Sequence, residues 1–317
     1  MSRDPNRAPA DPFSDDRAAA DRPMLDTAWT RSLARGQAPD PASLRDHLLA
    51  VHGTNAGFTE ACASRCQDDR GRSSYAWLAE AIDPARHRDV LDLACGSGPL
   101  LELAAARHGD RLRLTGVDMS EAELALARAR VPDAELALHR GLAQDMGFLA
   151  GASQDAVLCH WALTLMDPVA PVLQEVRRVL RPGGTFAAIV DGEMDAAPGY
   201  RAVHDLIYGW VQHAYPAYGR FELGDARVRD TQALATLARG IFDDAQVRIE
   251  PNVLYLSDPP ETLAREAAGF FYAAFVLSAE ANAAMLADLA QLLAAQGGAQ
   301  PTFAMPINRL VVTRAQS

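Results

Sequence analysis

Nine residues, Val90-Leu91-Asp92-Leu93-Ala94-Cys95-Gly96-Ser97-Gly98, limit this chain's fold more than any other stretch. A short apolar run closes in small residues and opens into the helical stretch Pro99 to His108. That pattern reads as a strand turning sharply into a helix. Such a turn needs residues without side-chain bulk, so that a ligand can lie against the backbone. Gly96 and Gly98 permit the approach. A second strand, Leu112 to Val117, ends at Asp118, twenty residues after Gly98, where a carboxylate can accept hydrogen bonds from ribose hydroxyls.

The alternation continues along the chain. A helix is expected from Ser120 to Arg130, with Ser120 as its N-cap and Glu123 at the capping-box position. Strands follow at Glu135–Leu138, Ala156–Cys159 and Thr185–Val190, with a helix at Val169–Leu180. Strands alternating with helices imply βαβ units and a parallel sheet covered on both faces. Dinucleotide-binding domains share the glycine turn and the acid after the second strand. Their G-x-G-x-x-G fingerprint needs a third glycine for close helix packing beneath a pyrophosphate. Here that position is Leu101, so a nicotinamide oxidoreductase is disfavoured.

Composition narrows the partners. A formal charge of -11 repels phosphate backbones and speaks against nucleic acid. All thirty positive charges are Arg, which excludes Schiff-base catalysis and a P-loop lysine. With the heavy use of Ala, this suggests a GC-rich bacterial genome. Cys62, Cys66, Cys95 and Cys159 are too few for a disulfide framework. Cys62 and Cys66 share a helix face, but the sequence shows no partners for a metal or redox role. No apolar run approaches a membrane span, and the polar N-terminus lacks a signal peptide's apolar segment. A cytoplasmic protein without a membrane or nucleic-acid partner is the expectation, with homodimerisation left open.

The segments DLACGSG, VDMS, GLAQDM, VLCHWAL and RVLRPGG, in this order over residues 88 to 192, resemble the successive motifs of class I S-adenosylmethionine (AdoMet)-dependent methyltransferases. The resemblance implies a Rossmann-like α/β fold with a mostly parallel seven-stranded sheet and helices on both faces. It implies AdoMet as cofactor, held by Asp92 and the loop Ala94, Cys95, Gly96 and Gly98 at its methionine end. Asp118 would grip the ribose, with Met119 on the adenine and Ala143 and Gln144 at the adenine edge. The Cys159 carbonyl would lie near the methionine amine. Two departures stand out: Ala94 replaces the first glycine of the common pattern, and Leu142 replaces an acid at the adenine segment. Neither removes a group essential for binding.

Methyl transfer is an in-line displacement that needs a base only if the acceptor must lose a proton. His160, after the fourth strand, is the candidate, because an ordinary histidine titrates near neutrality. The stretch after Asp191 carries Tyr200, Tyr208, Trp210, Tyr215, Tyr218 and Phe221, and a second cluster holds Phe270, Phe271, Tyr272 and Phe275. These clusters predict an apolar wall around a small, largely apolar or aromatic acceptor. His204 and Glu193, with Tyr208, Tyr215 and Phe271, are the candidate substrate residues; no metal site is expected. The layout then reads as a disordered tail (1–24), an N-terminal helical cap (25–85), an AdoMet-binding core (86–192), a helical acceptor lid (193–243) and a C-terminal part of the core with a long helical segment (244–317). The function expected is methylation of O, N or C of a small acceptor in bacterial specialised metabolism. The alternative is an AdoMet-binding fold that has lost methyl transfer.

Overall fold

The computed structural model describes residues 25–132, 135–218, 223–243, 245–272, 275–296 and 300–316. The expected tail at 1–24 and Phe221 lie outside the described residues. The strands are β1 (Asp89–Leu93), β2 (Arg113–Asp118), β3 (Leu136–Arg140), β4 (Gln154–His160), β5 (Leu180–Asp191), β6 (Gln246–Ser257) and β7 (Thr302–Thr313). They form one seven-stranded sheet in the order β3-β2-β1-β4-β5-β7-β6. Pairing is parallel from β3 to β5, and β7 runs antiparallel between β5 and β6. The mostly parallel sheet of the sequence reading is therefore present.

Two cores flank it. On one face α5 (Pro99–His108) and α6 (Glu121–Arg130) join α4 (Ser74–Ala79) over Val90, Leu114, Leu158 and Ile189. On the other, α7 (Ala170–Val179) and α9 (Thr231–Phe242) pack on Leu91, Val157, Phe186 and Val190. The fully apolar β4 and β5 interiors follow from this double cover. Helix α7 shows the sequence logic plainly: Val172, Leu173, Val176 and Val179 fall on one face and are buried, while its last turn holds Arg177 and Arg178.

The remaining helices gather on the first face. They are α1 (Ala28–Ala34), α2 (Pro41–Thr54), α3 (Phe58–Arg65), α8 (Tyr200–Ala214), α10 (Pro260–Phe270) and α11 (Ala279–Ala295). This corrects the expected lid. The 193–243 segment divides: α8 packs with α11, whereas α9 packs on α7 and belongs to the opposite core. The late helical stretch comprises two helices, α10 and α11, which pack on each other. Strand β6 runs unbroken through Pro251, at the sheet's edge, where a missing N–H costs no ladder bond.

Candidate active site

Parallel strands deliver their carboxyl ends to one rim, and the five motif segments meet there. Asp92 on β1 stands opposite Gly116 and Leu158. It is buried, and neither carboxylate oxygen has a hydrogen-bond partner. Burial, reinforced by the charge of Asp118, pushes its carboxyl well above the ordinary range. Two orphaned acceptors near the carboxyl end of β1 fit a cationic group such as the methionine ammonium of AdoMet.

The loop after β1 is wound through left-handed backbone: Ala94 has φ 57°, Gly96 φ 51° and Gly98 φ 83°. The sequence expectation for Gly98 needs correction. A Cβ there would lie 2.9 Å from the Ala127 Cβ of α6, so this glycine serves helix packing rather than ligand space. At Gly96 the nearest heavy atom to a built Cβ is Glu123 Oε2, at 3.9 Å. Gly96 is thus the open position of the pair. Asp118 braces the loop, accepting from the Gly96 N–H at 2.9 Å and the Ser120 N–H at 2.8 Å. Burial raises its carboxyl, and those two backbone bonds oppose the rise.

Met119 is half-buried against the first core, and Ala143 is buried in the second. Gln144 is exposed on the turn after β3. Cys159 is buried with its side chain in the second core, which leaves only its backbone toward the rim. Its thiol is pushed up to about 12 by burial. Cys95 is buried as well, its thiol raised by the same cause.

Sequence reasoning missed how the N-terminal cap closes this rim. Glu123 does not complete a capping box; the Ser120 N–H goes to Asp118 instead. The buried Glu123 carboxylate accepts from the Gly57 N–H at 3.1 Å and meets His52 Nδ1 at 2.8 Å. His52 Nε2 lies 3.3 Å from the Tyr272 hydroxyl. One turn further along α3, Glu60 accepts from Ser97 Oγ at 2.8 Å and from Arg130 Nη2 at 2.6 Å. Tyr75 on α4 is the other missed residue. Its phenol is raised by burial and by the nearby carboxylates of Glu60 and Asp92. A Gly-x-x-Glu pattern at 57–60 was the available signal, and only the tertiary contact gives it meaning.

His160 ends β4, yet it is no near-neutral base. Its ring stacks on Tyr75 at 3.8 Å between centroids, and Nε2 lies 2.8 Å from Ser74 Oγ. Burial lowers it to about 3, so the imidazole stays neutral at physiological pH. Its neighbour Trp161 sits at φ 61° and donates from Nε1 to Asp191 at 2.7 Å. Arg229 holds the other Asp191 oxygen at 3.2 Å. A non-glycine residue held in left-handed backbone at a strand end marks a position that the surrounding structure enforces.

From Trp161, directly after β4, a belt of rings runs to Tyr208. Trp161 meets Phe270 at 4.9 Å, Phe270 meets Phe271 at 5.2 Å, and Phe271 meets Tyr200, His204 and Tyr208 between 5.6 and 6.4 Å. His204 stacks on Tyr208 at 4.1 Å. Three expected substrate residues, His204, Tyr208 and Phe271, therefore come together. Tyr215 ends α8, half-buried against the same core. Glu193 does not join them. It is exposed and lines a separate groove with Arg239, Asn252 and Tyr255, because β5 passes its end outward toward α9.

Among the described residues no cluster of His, Cys, Asp or Glu is suited to a metal ion, and no helix is long and apolar enough to cross a membrane. Residues 91–188 match the family model described as a methyltransferase domain. A demethylmenaquinone methyltransferase of Listeria welshimeri is 32% identical over 136 residues, 42% of this chain and 56% of that relative. The chain thus spans about half the length of this curated relative. The YcgJ protein of Bacillus subtilis superposes with a TM-score of 0.52 at 12% identity, over 77% of this chain and 99% of the other. A phosphoethanolamine N-methyltransferase of Haemonchus contortus, solved with S-adenosylhomocysteine, gives 0.52 at 17% identity, over 86% and 60%. Strand order, glycine loop and family match together establish that this chain carries a class I AdoMet-dependent methyltransferase domain.

Proposed function

We propose that the protein moves a methyl group from AdoMet to O, N or C of a small acceptor with an apolar or aromatic body. The observation that carries this reading is the ring belt from Trp161 to Tyr208, which begins directly after the carboxyl end of β4. Such a wall grips an apolar body and excludes water from the reacting groups. In this reading Asp92 and the Ala94–Gly98 loop hold the methionine end of AdoMet. Asp118 takes the ribose, and Met119, Ala143 and Gln144 border the adenine. AdoMet supplies an electrophilic methyl group on a sulfonium. The chain's part is to hold the acceptor in line with it, and neutral His160 serves as a hydrogen-bonding wall.

The relative named for demethylmenaquinone methylation makes hydroxylated quinol and naphthol rings the first acceptors to try. The test is to incubate the protein with AdoMet and a panel of such rings, and to quantify S-adenosylhomocysteine and methylated product by mass spectrometry. Product from an aromatic acceptor supports the reading. AdoMet binding with no product from any acceptor would favour a donor-binding fold that no longer transfers the group.

A further inference from the structure

Trp161 follows β4 at the carboxyl rim, where β1, the neighbouring strand, passes into the glycine loop. Its left-handed backbone is pinned from both sides. The Trp161 N–H donates to the Ile189 carbonyl at 3.0 Å, and its carbonyl accepts from Thr164 Oγ1 at 2.8 Å. The side chain is pinned as well, because the charge-assisted bond from the indole Nε1–H to Asp191 at 2.7 Å fixes the ring's rotation. Asp191 is held in turn by Arg229, whose Nε donates to its second oxygen at 3.2 Å. The Arg229 Nη groups are anchored on the carbonyls of Leu223 at 2.7 Å and Thr164 at 3.1 Å. The ring contacts, by contrast, leave the indole faces without a parallel partner. His160 meets the indole at 84° and Phe270 at 70°, and among the described residues no ring stacks flat on it. The neighbouring pairs His160–Tyr75 and His204–Tyr208 do stack, at 19° and 24°.

We infer that Trp161 is the platform on which the acceptor's ring stacks, a specificity-determining residue for flat over saturated acceptors, and that Asp191 and Arg229 are positioning residues that hold its indole for that contact. A rigid, half-buried indole offers a large apolar area whose stacking gain depends on the partner being a flat π-system. A wall that only filled space would need neither a fixed ring plane nor a carboxylate at its edge, since burying a charge costs free energy unless it is paired. The pairing with Arg229 meets that cost. It also cancels the charge, so the two groups orient the ring without presenting a net charge to an apolar body. The inference rests on the apolar or aromatic acceptor proposed above and names the residue that would recognise its ring.

The test is calorimetry on the full chain, with S-adenosylhomocysteine present, using two probes of one skeleton: 1-naphthol and its saturated counterpart, decahydro-1-naphthol. The unaltered protein should bind the flat probe several times more tightly. Trp161→Leu should weaken the flat probe about five- to tenfold and the saturated one less than about threefold, collapsing the preference. Asp191→Ala should shrink the preference in the same direction. Asp191→Asn, whose amide oxygen still accepts from the indole N–H, should recover part of it. Trp161→Phe keeps a ring but has no N–H, so adding Asp191→Ala to it should cause no further loss. Melting temperatures confirm that each variant folds, and Trp161→Phe carries the test if Asp191→Ala does not. A purely structural role for Trp161 would weaken both probes alike and leave the preference intact, which would overturn the inference. An equal further loss from Asp191→Ala in the Trp161→Phe background would overturn the positioning role. No preference for the flat probe in the unaltered protein would overturn the platform while leaving an apolar acceptor standing. Failure of both probes to bind would sink the inference and the acceptor reading together.

Discussion

Ala94 takes φ 57° where an L-residue pays roughly 1–2 kcal/mol for left-handed backbone. Ala94→Gly should therefore raise stability by on the order of 1 kcal/mol, reduced by glycine's greater freedom in the unfolded chain; an unchanged or lower melting temperature would refute the strain. Gly98 answers in the opposite direction. With φ 83° and Ala127 against its missing Cβ, Gly98→Ala should destabilise by about 1–3 kcal/mol, read as a lower urea midpoint. Asp118 is a binding prediction: losing two charge-assisted bonds should cost about 2–3 kcal/mol, a ~30- to 150-fold weaker AdoMet affinity in Asp118→Ala. Asp92 trades stability against binding. Its carboxyl is raised on folding, so ionisation destabilises the native state once the pH exceeds the unfolded value near 4. Asp92→Asn should raise the melting temperature at neutral pH, and the gain should vanish below about pH 4.

Helices α1 and α2 illustrate how the cap is held by polar as well as apolar contacts. The His47 ring stacks on Trp29 at 4.7 Å, with Nδ1 3.0 Å from Thr27 Oγ1, and burial lowers its pKa to about 4. The folded state thus binds a proton at His47 only near pH 4, whereas the unfolded chain binds one near 6.5. Stability from the neutral ring is present above about pH 6.5 and is lost as the pH falls toward 4, by roughly 3 kcal/mol at most. A melting series from pH 7 to 4 should show this decline, and His47→Gln should flatten it. An equally steep decline in the variant would assign the loss elsewhere. If the cap also holds the donor, conditions that loosen it should weaken AdoMet binding alongside. Glu60→Gln, which weakens the hold on Ser97 and Arg130, should lower AdoMet affinity severalfold without unfolding the sheet.

At the scale of the molecule, what was legible in the sequence was what short-range pattern controls. The Val90–Leu93 strand, the glycine turn, the Asp118 tip and the one-faced helix α7 follow from residues within a dozen positions of each other. Long-range pairing was not legible. Glu123 read as a helix cap until Gly57, 66 positions away, claimed its carboxylate. His160 read as a titrating base until Tyr75 and Ser74 packed against it, and α9 read as lid until α7 took its apolar face. The aromatic clusters lie between these cases: their composition predicted a wall, and only the fold joined residues 161, 200–208 and 270–271 into one belt. That belt yields the last prediction. Phe271 is its hub, touching Tyr200, His204, Tyr208 and Phe270, while none of these ring contacts involves Asp92, Asp118 or the glycine loop proposed to hold the donor. Phe271→Ala and Tyr208→Ala should therefore lower kcat/KM for an aromatic acceptor by about tenfold or more, as expected for a buried aromatic anchor. AdoMet affinity should stay within about threefold, less than 1 kcal/mol. Steady-state kinetics paired with calorimetry separates the two effects. Unchanged turnover in both variants, or a donor affinity that falls together with turnover, would mean that the belt packs the helices and does not face the acceptor.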